Sequence, residues 1–420
     1  MSVRSRTLVQ AGATIFLVCC LVRGLLLFSW LTPPTLVRPD VTSEVGRVAQ
    51  RLLHAGEFAD PYIVPTGPTA HPPPVYTGLL TIIYRAFGVS TTAAYVRAIV
   101  HIASEAALLA LLPWVAFALG LGARAGIVAG LAGAVFPWRG LWDVIGWSGS
   151  EVHAAILLAL LLVWCQRRWT AGPTDAGSFA LGLAFGAGLH LVPALVQVMA
   201  GCLVCDVWWL EERARWRAPT LVLAGAVIAC APWALRNEAA LGGVPFVRSN
   251  LGLELRVGHH DGAASDIDGM QPWLKAHHPG ISEDEALQVR AEGELAYMRR
   301  ARSDAFSWAA AHPARALRLT AFRVGHIWFG SPRDPGGAAV LSLVTLLAVL
   351  GMRRMVPVLT GPQRAALLVP LATFPLVYYL VAYMPRYRVP IDWILCLFAA
   401  AEVSGWFSGK GGHELPQSDA

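Results

Sequence analysis

Leu8-Val-Gln-Ala-Gly-Ala-Thr-Ile-Phe-Leu-Val-Cys-Cys-Leu-Val-Arg-Gly-Leu-Leu-Leu-Phe-Ser-Trp-Leu31 is the stretch whose reading decides the fold. Its one charge is Arg23. A helix of about 20 predominantly apolar residues crosses the hydrocarbon of a bilayer. The run follows a basic segment, Met1 to Arg6. A secretory signal has a shorter apolar core and a small-residue cleavage site, so this run reads as a retained anchor. Comparable runs recur at roughly 93–118, 122–138, 150–166, 177–190, 192–210, 218–235, 338–352, 364–383 and 389–407. The expected fold class is an all-α polytopic membrane protein of about ten transmembrane helices. The short pair on either side of His190 and Pro193 also reads as one broken helix, which leaves the count soft by one or two.

Composition points the same way. Of 420 residues, 55% are hydrophobic and only 14% charged, against about 25% charged in soluble chains. Mean hydropathy is +0.52. These values exclude a soluble globular enzyme, a disordered chain and a disulfide scaffold. All seven cysteines lie inside apolar runs, where single thiols behave as small hydrophobes. Cys202 and Cys205 form a C-x-x-C, but no second pair accompanies them to complete a zinc site. The net charge of +6 reflects arginine on cytoplasmic turns rather than a nucleic-acid surface.

Placing the basic N-terminal segment in the cytoplasm puts Arg124, Arg167–Arg168, Arg213–Arg217, Arg353–Arg354 and Lys410 on that same side, as the positive-inside rule requires. Two polar stretches, about 32–92 and 237–337, and a short one at 137–150 then face outward. The expectation is an integral protein of a bacterial inner or plasma membrane, with both termini cytoplasmic and its chemistry outside. Counting 72–88 as a span would invert everything after it, so it reads as an amphipathic helix lying in the interface. Residues 45–54 read likewise, with Val48, Leu52 and Leu53 on one face. The first outer loop thus holds two interfacial helices. No β domain of consequence and no large soluble domain is expected.

Ionisable residues at membrane depth are expensive and mark function or tight pairing. Arg23, His101, Glu105, Glu151, His153 and His190 qualify, and Arg97, His101 and Glu105 form an i, i+4, i+8 stripe. That stripe is either cavity-lining or a His–Glu pair that satisfies itself. Acidic residues gather where two outer loops meet the membrane: Asp40 with Glu44, and Asp143 with Glu151. Each suits a general base at an outward surface, although Asp40 also suits a helix cap. On the same side lie Arg236, Arg248, Arg256, Arg315, Arg318 and Arg323, with Arg386 and Arg388 in Met384-Pro-Arg-Tyr-Arg-Val-Pro390. Arginine's planar fork suits phosphate. For Arg386 and Arg388 phosphate binding is favoured over headgroup anchoring. Asp266-Ile-Asp268 lies on the wrong side for nucleotide sugars and reads as chance; His259-His260-Asp261 and His277-His278 read as loop histidines.

In order and spacing these pieces resemble the GT-C class of integral-membrane glycosyltransferases, in the branch of protein O-mannosyltransferases and lipid A aminoarabinose transferases. Glu44-Val-Gly-Arg-Val-Ala-Gln-Arg-Leu-Leu-His-Ala-Gly-Glu-Phe58 is similar to that family's acidic residue followed by a helix ending in Gly-acidic-aromatic. Thr66-Gly-Pro-Thr-Ala-His-Pro-Pro-Pro-Val-Tyr76 is similar to its second interfacial helix, with His71 where relatives carry lysine. Pro232-Trp-Ala-Leu-Arg-Asn237, Gly293-Glu-Leu-Ala-Tyr297, His312-Pro313 and Arg386-Tyr-Arg-Val-Pro390 resemble later segments.

The resemblance implies a GT-C-like catalytic module over 1–236, an outer loop region over 237–337 and C-terminal helices over 338–420. It implies an outward-facing site, a polyprenyl-phosphate sugar donor, a lipid, glycan or protein acceptor, and inverting transfer. The family's strict Asp-Glu pair is missing, so Glu44 and Asp40 both stand as the base, Glu44 preferred, with Glu151 assisting. Arg386, Arg388 and Arg323 stand as donor-phosphate ligands, and His71, His101, Glu105 and Tyr76 as cavity-lining residues. No cofactor is certain; a divalent metal ion remains open, with Glu44 and Asp40 its candidate ligands. The competing classes are a lipid or solute transporter through His101, Glu105 and the break at His190–Pro193, and a non-catalytic lipid binder of the same fold.

Overall fold

The computed structural model describes residues 3–29, 37–136 and 149–406. Asp143, most of the short loop it belongs to, and Lys410 lie outside them. The described residues are helical with no strand; two isolated bridges, Ala59 with Pro68 and Asp266 with Tyr383, are the only β-type pairings among them.

Ten helices stand where the sequence places spans. They are α1 (Val3–Leu27), α4 (Thr91–Ala118), α5 (Ala123–Val135), α6 (Gly149–Ala171), α7 (Asp175–Leu189), α8 (Leu195–Trp209), α9 (Arg217–Leu241), α15 (Pro335–Met355), α16 (Gly361–Thr373) and α17 (Val389–Trp406). Six regions are long and apolar enough to cross a membrane: Ser5–Leu27, Thr91–Ala118, Gly149–Ala171, Glu212–Leu241, Pro335–Val358 and Pro385–Trp406. Helices α5, α7 and α8 are apolar but shorter. Helix α7 stops at Leu189 and α8 begins at Leu195, so His190 to Ala194 is a true break. Pro193 explains it, since proline removes a helix donor and clashes with the preceding turn.

The contacts fix helix directions. Gly12 meets the Ala110 carbonyl while Arg23 meets Glu105, so α1 and α4 are antiparallel. Gly182 lies on Val222 and Gly186 on Ala226, so α7 and α9 run in the same direction. At those glycines a Cβ would strike the neighbour's backbone, which is how small residues let helices approach closely. Arg217 pairs with Asp175, Trp209 covers Gly361, Gln363 covers Gly120 and Arg354 covers Gly405. The turns carrying Arg124, Arg167–Arg168, Arg213–Arg217 and Arg353–Arg354 therefore gather at one end of the bundle.

The opposite end carries the polar stretches. In the first loop, α2 (Glu44–Ala55) and α3 (Pro74–Phe87) occupy the two amphipathic segments and pack through Ala49, Leu80, Ile83 and Tyr84. Ser43 caps α2, its hydroxyl accepting from Gly46 N–H at 3.0 Å, and Gly56 closes it in the left-handed conformation. Residues 237–337 are more than a polar loop. They form α10 (Leu251–Gly258), α11 (Gln271–His277), α12 (Glu283–Glu292), α13 (Glu294–Ala311) and α14 (Pro313–Phe329). These helices share a core of Leu253, Val257, Met270, Leu274, Val289 and Tyr297, which also takes in Tyr62 of the first loop. The outer loop region thus carries a small helical core of its own. Short apolar faces spread over five helices give no run long enough to read as a domain.

Candidate active site

Glu44 opens α2, and its carboxylate lies between two imidazoles: Oε1 is 3.6 Å from His71 Nε2 and 3.8 Å from His278 Nε2. Tautomers follow from the far side of each ring. Gly280 N–H donates to His278 Nδ1 at 3.0 Å, so the ring proton of neutral His278 sits on Nε2. Tyr62, 2.9 Å from His71 Nδ1, keeps its phenol proton because burial raises its pKa well above the usual value. Donating that proton to Nδ1 leaves His71 with N–H at Nε2. Both rings thus turn an N–H toward the same carboxylate oxygen.

Burial pushes the Glu44 pKa up, but the charges of His71, His278, Arg248 and Arg386 outweigh it and hold the carboxyl below its ordinary value. His71 is driven down to about 4, chiefly by burial, with Glu44 opposing and Arg248 and His278 adding to the fall. At neutral pH, Glu44 is therefore ionised and His71 neutral, and Arg248 and Arg386 are fixed positive charges that act on Glu44.

The loop bearing His71 is held by buried polar ties. Arg248 Nε donates to the His71 carbonyl at 2.7 Å. Arg236 donates to the Thr69 and Phe58 carbonyls, each at 2.6 Å. The buried Glu294 carboxylate accepts from Thr69 Oγ1, from Ala70 N–H at 2.8 Å and from Ser249 Oγ at 2.7 Å. Arg47, one turn after Glu44, donates to the Pro61 and Gly280 carbonyls and so ties the first loop to the turn carrying His278.

The two first-loop carboxylates have different surroundings. Asp40 accepts from Ser43 N–H at 3.1 Å and Ser43 Oγ at 2.5 Å, and lies 3.8 Å from Arg97 Nη1. Its carbonyl takes the Tyr84 hydroxyl at 2.8 Å and presses on Gly46, where a side chain would displace it. Asp40 is built into the start of α2. Glu44 is the carboxylate whose neighbours come from the distant outer helices.

Among the expected phosphate ligands, Arg386 lies within electrostatic reach of Glu44 and 3.7 Å from Glu151 Oε1. Glu151 therefore orients Arg386. Arg388 and Arg323 require correction. Arg388 is 1% exposed, pairs with Asp392 and donates to the Ile327 and Trp328 carbonyls and to Thr345. Arg323 is fully buried and donates to the Gly258 and Leu380 carbonyls. Both point inward because helix ends and turns with unsatisfied carbonyls surround them. Arg248, one of several outer arginines in the sequence, takes their place beside Arg386.

Of the cavity-lining candidates, Tyr76 and His101 border a small space of about 10 Å³ with Arg97 and His153. His71 faces Glu44 instead. Glu105 closes on Arg23, with Oε2 and Oε1 accepting at 2.6 and 2.7 Å. Sequence reasoning missed His278 and Glu294. A histidine followed by Pro279-Gly280, the turn that re-aims it, was the available signal. Of the two carboxylates open to a divalent ion, Asp40 is engaged by Ser43 and Arg97, and no group of three ligating residues among those described has metal spacing.

No family model matches the chain, and no curated protein does. Among solved structures it is similar to the crystal structure of ArnT from Cupriavidus metallidurans bound to undecaprenyl phosphate. The TM-score is 0.34 and the identity 13%, over 94% of this chain and 78% of that one. A likeness at that level carries no correspondence of individual residues.

Proposed function

We propose that the protein is a membrane glycosyltransferase that moves a sugar from a polyprenyl-phosphate donor to an acceptor hydroxyl by inverting displacement, on the outer face of the membrane. The observation that supports it is the Glu44 carboxylate set between His71 and His278 at the polar end of a helical bundle, within electrostatic reach of Arg248 and Arg386. The donor class comes from the sequence resemblance.

In this reading the acceptor hydroxyl gives its proton to Glu44 as its oxygen attacks the anomeric carbon. The bond from that carbon to the phosphate oxygen breaks, and the electron pair leaves with the lipid phosphate. Arg248 and Arg386 stabilise the charge that grows there. Glu151 sets the position of Arg386. His71 and His278 orient the Glu44 carboxylate through their Nε2–H groups. Asp40 starts α2, and Arg388 and Arg323 fix the turn that presents Arg386.

The test is release of polyprenyl phosphate by purified protein from a lipid-linked sugar, with cell-envelope acceptors present. Glu44→Gln is expected to cut release about 10²- to 10⁴-fold, the usual worth of a general base, while donor binding persists. Parental release by that variant removes Glu44. Absence of release with substrate movement tied to an ion gradient favours a transporter. Donor binding without turnover in the parent favours a lipid binder.

A further inference from the structure

At the end of the bundle remote from Glu44, the last turns of α4 and α6 and the link into α7 enclose a concavity of about 430 Å³. That volume falls in the range of small-ligand sites. One wall is apolar and aromatic: Trp114, Leu160, Val163 and Trp164. At its lip the exposed Arg167 guanidinium lies over the Trp114 ring, 5.8 Å from the centroid.

The charges around this trough are not equivalent. Arg168 is buried against Asp206 at 2.8 Å, and Arg217 is paired with Asp175. Both nearby acids are therefore committed to arginines. Arg167 has no carboxylate partner among the described residues. Arg167 thus stands above an apolar trough where the candidate span Gly149–Ala171 ends. Tryptophan favours this depth of a bilayer, and basic pockets between membrane helices on the arginine-rich side take anionic headgroups.

We propose that this cavity binds the headgroup of an anionic phospholipid from the leaflet at that end, with its phosphate on Arg167 and its glycerol and first acyl carbons against Trp114, Leu160 and Trp164. A zwitterionic headgroup brings a second positive charge beside Arg167, and the nearby acids that would offset it, Asp175 and Asp206, are both engaged. The bound lipid would bridge α4, α6 and α7. The site is independent of the sugar-transfer reading, since it shares no residue with the Glu44 constellation.

The test uses the full chain, delipidated in mild detergent and offered equal amounts of phosphatidylglycerol and phosphatidylcholine, with retained lipid counted by native mass spectrometry. The expected result is preferential retention of phosphatidylglycerol. Arg167→Gln should lower that preference about fivefold, the worth of one arginine near a membrane surface. Leu160→Trp, which fills the trough and keeps the charge, should lower it too. Arg353→Gln, which removes an exposed charge at the same end but away from the trough, should leave it unchanged. Equal retention of the two lipids, parental retention by Arg167→Gln, or an equal loss in Arg353→Gln would overturn the proposal. Displacement by inorganic phosphate would also overturn it, making the site one for the free anion.

Discussion

Glu44 and Asp40 lie four residues apart, and the resemblance leaves both standing as the base, with Glu44 preferred. What separates them is supplied by residues far along the chain: His278, Arg248 and Arg386 surround Glu44, while Ser43 and Arg97 occupy Asp40. Such long-range partners leave no local pattern to read. Arg386 and Arg388 show the same limit, since two arginines two residues apart diverge, one toward Glu151 and one into a nest of carbonyls. The electrostatics give a signed prediction for the first pair. With Glu44 as the proposed base, activity is expected to be lost as pH falls through its depressed pKa. Arg248→Gln removes a positive neighbour, raises that pKa, and should move the acid limb of the kcat/KM profile to higher pH. An unmoved limb with an otherwise intact profile would separate Arg248 from Glu44.

Among the elements, the membrane helices and both amphipathic segments were legible because hydropathy and 3.6-residue periodicity are local properties. The layer of α10 to α14 was not, because its core is assembled from a few apolar residues in each of five helices. Glu294, at the start of α13, couples that layer to the His71 loop. Glu294→Gln removes one acceptor from a buried group that takes three hydrogen bonds. A stability loss of about 2 kcal/mol is expected from thermal unfolding, with kcat falling more than donor KM rises as His71 loses its position. Within the bundle, Arg23 is almost fully buried and bonds Glu105 as well as the Gly133 and Ala134 carbonyls. Breaking such a pair costs about 3–5 kcal/mol, whereas replacing both partners with apolar groups is often nearly neutral. Arg23→Leu and Glu105→Leu should each lose most folded protein by size-exclusion chromatography after extraction. The double variant should recover it; equal yields from all four proteins would make the pair unimportant.

For the whole molecule, the positive-inside reading and the helix contacts agree on one arrangement: arginine-bearing turns at one end, Glu44, Arg248 and Arg386 at the other. Every chemical proposal for Glu44 requires the second end to face out of the cell, where a lipid-linked sugar can meet its acceptor. Impermeant maleimide labelling of intact cells tests this directly. Glu57→Cys places a thiol on the exposed turn after α2, and Arg213→Cys places one between α8 and α9. The parental protein supplies the background from its seven native cysteines. Labelling of Glu57→Cys in intact cells, with Arg213→Cys reacting only after the membrane is opened, is the predicted result. A reactive Arg213→Cys beside a silent Glu57→Cys would contradict the account.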